Sequence, residues 1–155
     1  MIIEDTRQKI KAHDLKHRHF QEMGVELERC ALPFGDYALP PAIAVDTKQN
    51  MDEIAANLTG DHARFRRECE RAQAAGSHLY ILIETEEAIT TIDEVHNWVN
   101  PRLRVSAKAV IGARLEKAMK TMSHRYGVTF LFCHPARAAE TIIEVLTGHY
   151  EGGNT

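Results

Sequence analysis

The 155-residue sequence has few cysteines, little net charge and no long hydrophobic run. Its three cysteines are odd in number and far apart, so they form neither a disulfide framework nor a CxxC zinc motif, which favours a reducing cytoplasm. The formal charge of -3 gives no bulk electrostatic reason to expect a nucleic-acid partner. The longest apolar run, LYILI at 79–83, is strand-sized, and the amino terminus is charged by its fourth residue, so we predict no membrane anchor and no signal peptide.

Several common motifs are also absent from the sequence. It contains no GxGxxG, no P-loop and no nucleophile elbow, so nothing in it supports an α/β domain that acts on a small molecule. A chain of this length can bury one continuous core. We predict a single domain over residues 1–148 and a flexible tail over residues 149–155.

Segments with strand and helix periodicity alternate along the chain. Short apolar runs predict strands near 2–5, 42–48, 77–84 and 128–133, with a strand or bent hairpin over 25–40. Helical spacing predicts helices over 11–24, 50–58, 61–76, 91–101, 106–127 and 136–148. This alternation predicts a layered α/β domain with a mixed or largely parallel central sheet.

The first predicted helix is rich in histidine. Its inner face is expected to carry Leu15, His19 or Phe20, and Met23. His13 and His17 have the i, i+4 spacing of a helical zinc site. No acid or cysteine completes a ligand set at useful spacing, so we predict that these histidines lie on a solvated face.

The segment PFGDYALPPAIAVDTKQN, residues 33–50, contains two acids and a lysine around one strand. Because side chains alternate along a strand, Asp46 and Lys48 are predicted on one face, with their heads about 7 Å apart from a rise of about 3.3 Å per residue. Asp36 and Asp46 could hold a hard divalent cation that keeps water ligands and accepts a phosphate oxygen. Lys48 beside that cation could orient the attacking water or offset charge on a pentavalent phosphorus.

Simpler structural roles exist for each of these residues. Asp36 follows a glycine, so its role could be simply that of a turn-forming residue. Asp46 and Lys48 could form a solvated ion pair at a strand edge, which contributes little to stability. Asp52 is favoured as a residue of a helix amino terminus, where an acid meets free backbone N–H groups and the helix dipole.

The order of these residues resembles a known pattern. Gly35 and Asp36, a nine-residue spacer, Asp46-Thr47-Lys48 and then Asp52 are similar to the GD…ERKxxxD hallmark of the XPF family of structure-specific endonucleases, which includes archaeal Hef. IIEDTRQ, residues 2–8, resembles the opening strand of that family with its D-x-R-E motif. Residues 105–146 resemble its closing helix, strand and helix, so the resemblance extends over nearly the whole chain.

This resemblance implies a three-layer, restriction-endonuclease-like α/β fold with a central mixed sheet flanked by helices. It implies a PD-(D/E)xK site in which Asp36 and Asp46 bind Mg²⁺ or Mn²⁺ and Asp5 supports or joins them. It also implies that Lys48 is catalytic and that Arg7 contacts phosphate or buttresses the carboxylates.

The sequence departs from the family pattern at three site positions. Asp46 and Thr47 stand where the family has Glu and Arg, and Gln8 stands where it has the Glu of D-x-R-E. Asp in place of Glu is acceptable to a metal site, whereas the loss of two charges makes the substrate geometry less transferable. Glu68 is a candidate for a compensating acid.

The resemblance predicts a metal-dependent DNA endonuclease that hydrolyses phosphodiester bonds, with branched or flapped DNA as candidate substrates. Arg64 and Arg67 on the arginine-rich predicted helix are candidates for contacts with the DNA backbone. A homodimer or a separate DNA-targeting protein would help select the substrate. The alternative is a catalytically weak or inactive nucleic-acid-binding or assembly module with the same fold.

Overall fold

The structure is a computed structural model that describes residues 1–152. These residues form six strands: β1 (Ile2–Asp5), β2 (Leu27–Cys30), β3 (Tyr37–Leu39), β4 (Ile43–Lys48), β5 (His78–Glu84) and β6 (Thr129–Cys133). They also form five α-helices: α1 (Asp14–Glu22), α2 (Met51–Thr59), α3 (His62–Ala74), α4 (Gly112–Tyr126) and α5 (Ala138–Leu146). Short 3-10 helices cover Ile10–His13, Ile92–Asn97, Pro101–Arg104 and Pro135–Arg137.

The strands form one mixed sheet in the order β2-β1-β3-β4-β5-β6. β1 is parallel to β2 and antiparallel to β3, and β3 is antiparallel to β4. β4, β5 and β6 are mutually parallel neighbours. The predicted α/β fold with a central mixed sheet is therefore confirmed. The possible hairpin over 25–40 is wrong, because β2 pairs with β1 while β3 lies between β1 and β4.

Helices cover both faces of the sheet, which gives three layers. On one face α2, α3 and α4 pack on Ala44, Leu79 and Ile81 through residues such as Ile54 and Leu115. On the other face α5 and the Phe20 ring of α1 pack on Val45 and Leu82. Ala44 and Val45 are adjacent in β4 and point to opposite layers, as strand geometry requires.

The predicted helix over 106–127 begins later, at Gly112. The preceding segment is fixed as a loop because the Asn100 side chain donates to Val110 O (3.0 Å) and accepts from Arg102 N (3.0 Å). Gly112 packs against the 3-10 turn Ile92–Asn97, so closely that a Cβ at position 112 would lie 2.5 Å from Val95 O. The helix predicted over 91–101 is two separate 3-10 turns, the second starting at Pro101.

The prediction for α1 is wrong at several positions. Phe20 is buried as expected, but Leu15 and Met23 are exposed, and Lys16 is buried instead. Lys16 Nζ donates to Glu84 Oε2 at 2.6 Å, and this ion pair sets which side of the helix faces the sheet.

The histidines of this region do not all face solvent either. His13 is buried, with Nδ1 2.7 Å from Tyr37 Oη, and His17 Nε2 contacts the buried Glu4 carboxylate. Burial, reinforced by the charge of Lys16, lowers the pKa of His13 to about 4. The predicted solvated face is therefore wrong for His13, which is a neutral core residue at neutral pH.

The chain after α5 continues without a further helix or strand as far as residue 152. Residues 149–152 have no regular secondary structure, and residues 153–155 of the predicted tail lie outside the described residues. None of the helices within residues 1–152 has the length and apolar character needed to cross a membrane.

Candidate active site

One cleft of about 530 Å³ opens where β1 and β4 end, on the side of the sheet covered by α2 and α3. The residues predicted for catalysis, and one of the two predicted for DNA contact, line this cleft: Asp5, Arg7, Asp36, Asp46, Lys48, Glu68 and Arg64. Arg67 is an exposed residue of α3 and does not line it. The topology thus brings together side chains that are up to 63 positions apart in the sequence.

The turn before β3 places Asp36 against Asp46. Gly35 has a positive φ of 74°, and a Cβ there would lie 3.1 Å from the Ala44 Cβ, so a larger residue would be both strained and crowded. Asp36 N donates to Val45 O (2.8 Å), while Asp36 Oδ2 accepts from Thr47 N (2.8 Å). Asp36 is therefore bonded to the backbone on both sides of Asp46.

Asp46 and Lys48 form a buried ion pair within the cleft. Lys48 Nζ is 2.7 Å from Asp46 Oδ2, and the two residues are only 7% and 5% exposed. The predicted shared face is observed, but the predicted 7 Å between the heads is wrong because the long lysine side chain folds back along the strand. The ammonium also lies 5.3 Å from the centroid of the Phe65 ring, so the pair is not a solvated edge pair.

The Lys48 ammonium is the polar contact that the buried Asp46 Oδ2 makes. It lies 2.7 Å away, and no other group within residues 1–152 donates a hydrogen bond to this oxygen. Burial alone would lower the pKa of Lys48, but the charges of Asp46 and Glu68 outweigh it and raise this pKa above its ordinary value. Lys48 therefore carries a fixed positive charge beside an oxygen that can accept a further ligand.

The cleft contains more acid than base at its floor. Glu68 Oε1 accepts from Gly35 N at 2.8 Å, which brings this α3 residue to the turn before β3. Burial, followed by the charge of Asp46, raises the pKa of Glu68 and raises that of Asp36 well above its ordinary value. Three neighbouring carboxyl groups thus share the single ammonium of Lys48, and an additional cation would relieve their repulsion.

Asp5 and Arg7 form a second ion pair at the other side of the cleft. Arg7 Nε lies 2.9 Å from Asp5 Oδ2, and Leu32 N donates to Asp5 Oδ1 at 3.2 Å. The Arg7 guanidinium also donates to Leu32 O. Asp5 is therefore largely occupied by internal donors, whereas the Arg7 side chain remains 64% exposed and can reach a ligand.

Gln8 and Thr47, where the sequence lacks the charged residues of the XPF-like pattern, converge on Asp36. The Gln8 side-chain amide donates to Asp36 Oδ1, and Thr47 Oγ1 donates to Asp36 Oδ2 at 2.5 Å. A neutral amide and a hydroxyl thus hold the carboxylate where the family has a Glu and an Arg. The sequence alone indicated only a loss of charge at Gln8 and Thr47, and the contact across 28 positions from Gln8 had no sequence signal.

This contact predicts that glutamate, the residue of the family pattern at position 8, would destabilise this protein. Gln8→Glu removes the donor and places a second carboxylate against Asp36, so we expect the free energy of unfolding to fall by about 1–3 kcal/mol at pH 7. The paired carboxyls have raised folded-state pKa values, so the loss should shrink as pH falls towards the ordinary pKa of glutamate. Urea unfolding at pH 7 and at acidic pH measures this change.

The control for that change is Gln21→Glu, at an exposed position of α1 that makes no side-chain contact with the cleft. Its unfolding free energy should stay within about 0.5 kcal/mol of the parent value at both pH values. Equal effects of the two substitutions would contradict the role given to Gln8.

Further polar residues line the cleft or lie beside it. Arg71 Nε donates to Pro33 O (2.8 Å) and lines the cleft, and Asn57 Oδ1 is a buried acceptor there without a partner. Arg64 lies 3.7 Å from Asp61 at the rim. Asp52 is outside the cleft in the first turn of α2, whose N-cap Asn50 accepts from Glu53 N, as its helix-terminal interpretation predicts.

The residues present suit a hard divalent cation, although the side chains are not arranged as a finished coordination shell. Within residues 1–152 no three His, Cys, Asp or Glu side chains stand close enough together to form a ready metal site. The excess of carboxyl groups over ammonium at the cleft floor nevertheless matches the oxygen ligands and negative charge that Mg²⁺ and Mn²⁺ favour.

Comparison with known proteins identifies the family of this fold. The family model described as "ERCC4 domain" matches residues 4–146. The chain belongs to the ERCC4 domain family. This ERCC4 domain is similar to the solved structure "XPF from Aeropyrum pernix", with 19% sequence identity and a TM-score of 0.65 over 94% of this chain. It is similarly close to "XPF from Aeropyrum pernix, complex with DNA", with 20% identity, a TM-score of 0.67 and 94% coverage.

The ERCC4 domain described here spans 62% of each of those two XPF chains. At this identity the likeness establishes the fold. A search of curated proteins gave no match.

Proposed function

We propose that this ERCC4 domain is a divalent-metal-dependent endonuclease that hydrolyses DNA phosphodiester bonds. The observation that carries the proposal is the convergence of Asp36, Asp46 and Lys48 in one cleft, where the buried Asp46 carboxylate lies 2.7 Å from the Lys48 ammonium. Membership of the ERCC4 domain family supports it, as does the fold shared with an XPF whose structure contains DNA.

The residues at the cleft floor would divide the chemistry among them. Asp36 and Asp46, supported by Asp5, would hold Mg²⁺ or Mn²⁺ after a local adjustment of side chains. When bound, such an ion lowers the pKa of a water molecule and stabilises negative charge on the phosphoryl oxygens. Lys48 keeps its proton beside Asp46, so its ammonium stabilises the charge that develops as the water attacks phosphorus.

Residues at the rim would position the DNA. The exposed guanidinium of Arg7 lies beside the floor, and Arg64 and Arg71 line the cleft on the α3 side. Cations placed like this contact the phosphates that flank the reacting one and fix the register of the strand without reading its bases. Arg67 lies outside the cleft, where it would contact the backbone farther along.

Cleavage assays on a panel of labelled DNAs test this function. We expect incision of single-stranded, duplex, forked or flapped DNA with Mg²⁺ or Mn²⁺ and none with EDTA, and the preferred member of the panel identifies the substrate. Glu22→Gln, at the exposed carboxyl end of α1, is an acid control that lines neither the cleft nor the groove beside α2, and it should cleave like the parent protein. Incision that persists in EDTA, or that is unchanged by substitution of Asp46 or Lys48, would contradict the proposal.

One observation favours a second function, that of a catalytically inactive nucleic-acid-binding or assembly module. Gln8 and Thr47 already donate hydrogen bonds to both carboxylate oxygens of Asp36. These hydrogen bonds compete with the use of the Asp36 oxygens as metal ligands. Calorimetric titration with Mn²⁺ separates the two functions, because a binding module would give no cation-dependent heat that is lost in Asp46→Asn. In either case a homodimer or a separate DNA-targeting protein would help to select the substrate.

A further inference from the structure

A stretch of this chain carries positive charge without any acid. Residues 95–115 contain no Asp or Glu and four basic side chains, at Arg102, Arg104, Lys108 and Arg114, in a chain whose formal net charge is -3. The acids nearest to it in sequence are Glu94 and Glu116. The proposed chemistry uses none of these cations.

The structure gives this stretch a defined surface. Together with α2 and the first turns of α4 it forms a groove of about 710 Å³, which we call the α2–α4 groove. Three cations, Arg102, Lys108 and Arg114, and one acid, Asp52 of α2, line it. These three side chains make no ion pair with any residue of 1–152. By contrast, the exposed basic residues Lys120 and Arg137 do have acidic partners.

The groove is held in shape by internal contacts. The Asn100 side chain bonds to the backbone on both sides of the loop, and Gly112 permits close approach of α4 to the 3-10 turn Ile92–Asn97. Val105, in the same loop, is 88% exposed, and Val99 and Ile111 are also exposed. A rigid surface that combines unpaired cations with exposed aliphatic groups is typical of a binding surface.

The α2–α4 groove lies across a single helix from the candidate active site. Glu53 and Asn57 of α2 line the cleft, whereas Ala56 and Thr59 line the groove. A helix is about 10–12 Å across, which corresponds to about three base pairs of duplex DNA at 3.4 Å each. One DNA molecule can therefore reach both surfaces.

We propose that the α2–α4 groove binds the phosphate backbone of DNA that extends beyond the phosphate held in the cleft. Its three cations would neutralise phosphates and release counterions, and they outnumber the one acid, Asp52, among the residues that line the groove. The proposal rests on the proposed function in assigning the ligand as DNA. It adds a second contact surface, which would favour substrates with an arm long enough to cross α2.

Binding measurements on matched variants test the groove. The test variant is Arg102→Ala/Lys108→Ala, and the control is Arg18→Ala/Arg125→Ala, which also removes two positive charges from exposed positions outside both surfaces. Fluorescence anisotropy in EDTA gives the affinity for a long duplex and for a short oligonucleotide over a range of salt concentrations. We expect the slope of log K against log salt for the long duplex to fall by about 0.9 for each lost contact in the test variant.

The short oligonucleotide should bind the test variant and the control equally, since it need only occupy the cleft. Equal affinities and equal salt slopes of the two variants for the long duplex would overturn the proposal. The groove would then be assigned to binding an acidic protein surface. A protein that shows groove-dependent binding but no metal-dependent incision would retain this surface and lose the nuclease function. Incision without groove dependence would give the opposite result.

Discussion

Lys48→Met should lower metal-dependent DNA cleavage by at least about a hundredfold, the usual effect of removing one preorganised charge from a developing anion. Methionine preserves most of the aliphatic stem that packs near Phe65 but removes the only ammonium among Asp36, Asp46 and Glu68. The expected loss is in the rate of incision rather than in DNA affinity, because the rim arginines remain. Single-turnover cleavage and equilibrium binding on the same labelled DNA separate these two quantities.

A loss of activity alone would not distinguish chemistry from unfolding. Asp46 and Lys48 are both buried, so removing one partner leaves an uncompensated charge and should lower the free energy of unfolding by about 3 kcal/mol. The double variant Asp46→Asn/Lys48→Met removes both charges and should recover much of that stability. It should remain inactive.

The double variant separates a structural role of Asp46 and Lys48 from a role in the reaction. Activity that returns together with stability in the double variant would assign Asp46 and Lys48 a structural role only. Stability that returns without activity assigns them to the reaction. Urea unfolding curves and incision rates of the four proteins in the cycle provide both measurements.

The local geometry of the site could be predicted from the sequence, because it depends on strand alternation. AIAVDTK specifies a strand whose Asp46 and Lys48 share a face, and that face is observed. The spacing of Gly35 and Asp36 from Asp46 required the resemblance to a known pattern, since no local rule specifies which strands become neighbours. The insertion of β3 between β1 and β4 supplies that missing contact.

Interactions between distant polar residues could not be predicted in the same way. The contact of Gln8 with Asp36 joins positions 28 apart, and that of Lys16 with Glu84 joins positions 68 apart. Hydrophobic periodicity assigned Leu15 to the core because it considers only apolar side chains. A lysine that finds a buried carboxylate reverses that assignment, and nothing in the sequence around position 16 indicates the partner.

The two buried lysine–carboxylate pairs lie on opposite faces of the sheet and differ in one respect. Lys48 is paired in register with Ile83, and Glu84 follows on the neighbouring strand, so both pairs occupy the same end of the sheet. Lys16 Nζ lies 2.6 Å from Glu84 Oε2 and Lys48 Nζ lies 2.7 Å from Asp46 Oδ2, but only the Asp46–Lys48 pair lines the cleft. The Lys16–Glu84 pair is closed by α1 and does not line the cleft. Its role is therefore structural.

Lys16→Met should lower the free energy of unfolding by about 3–5 kcal/mol at pH 7, the largest stability change that we expect from a single substitution. Burial already raises the pKa of Glu84, with Lys16 opposing that rise. Without Lys16 this pKa rises further above its unfolded value, so the folded protein holds a proton that the unfolded chain releases. Stability is then lost as pH rises through that window and is retained below the ordinary pKa of glutamate.

Urea unfolding of Lys16→Met and Lys16→Met/Glu84→Gln at two pH values measures this effect. The double variant has no buried charge at this position, so it should regain much of the stability and lose the added pH dependence. Arg137→Ala is the surface control, because its pair with Glu140 is exposed and should contribute less than about 1 kcal/mol. A Lys16→Met protein as stable as this control would show that α1 is not fixed to the sheet by the ion pair. The exposed positions of Leu15 and Met23 would then need another cause.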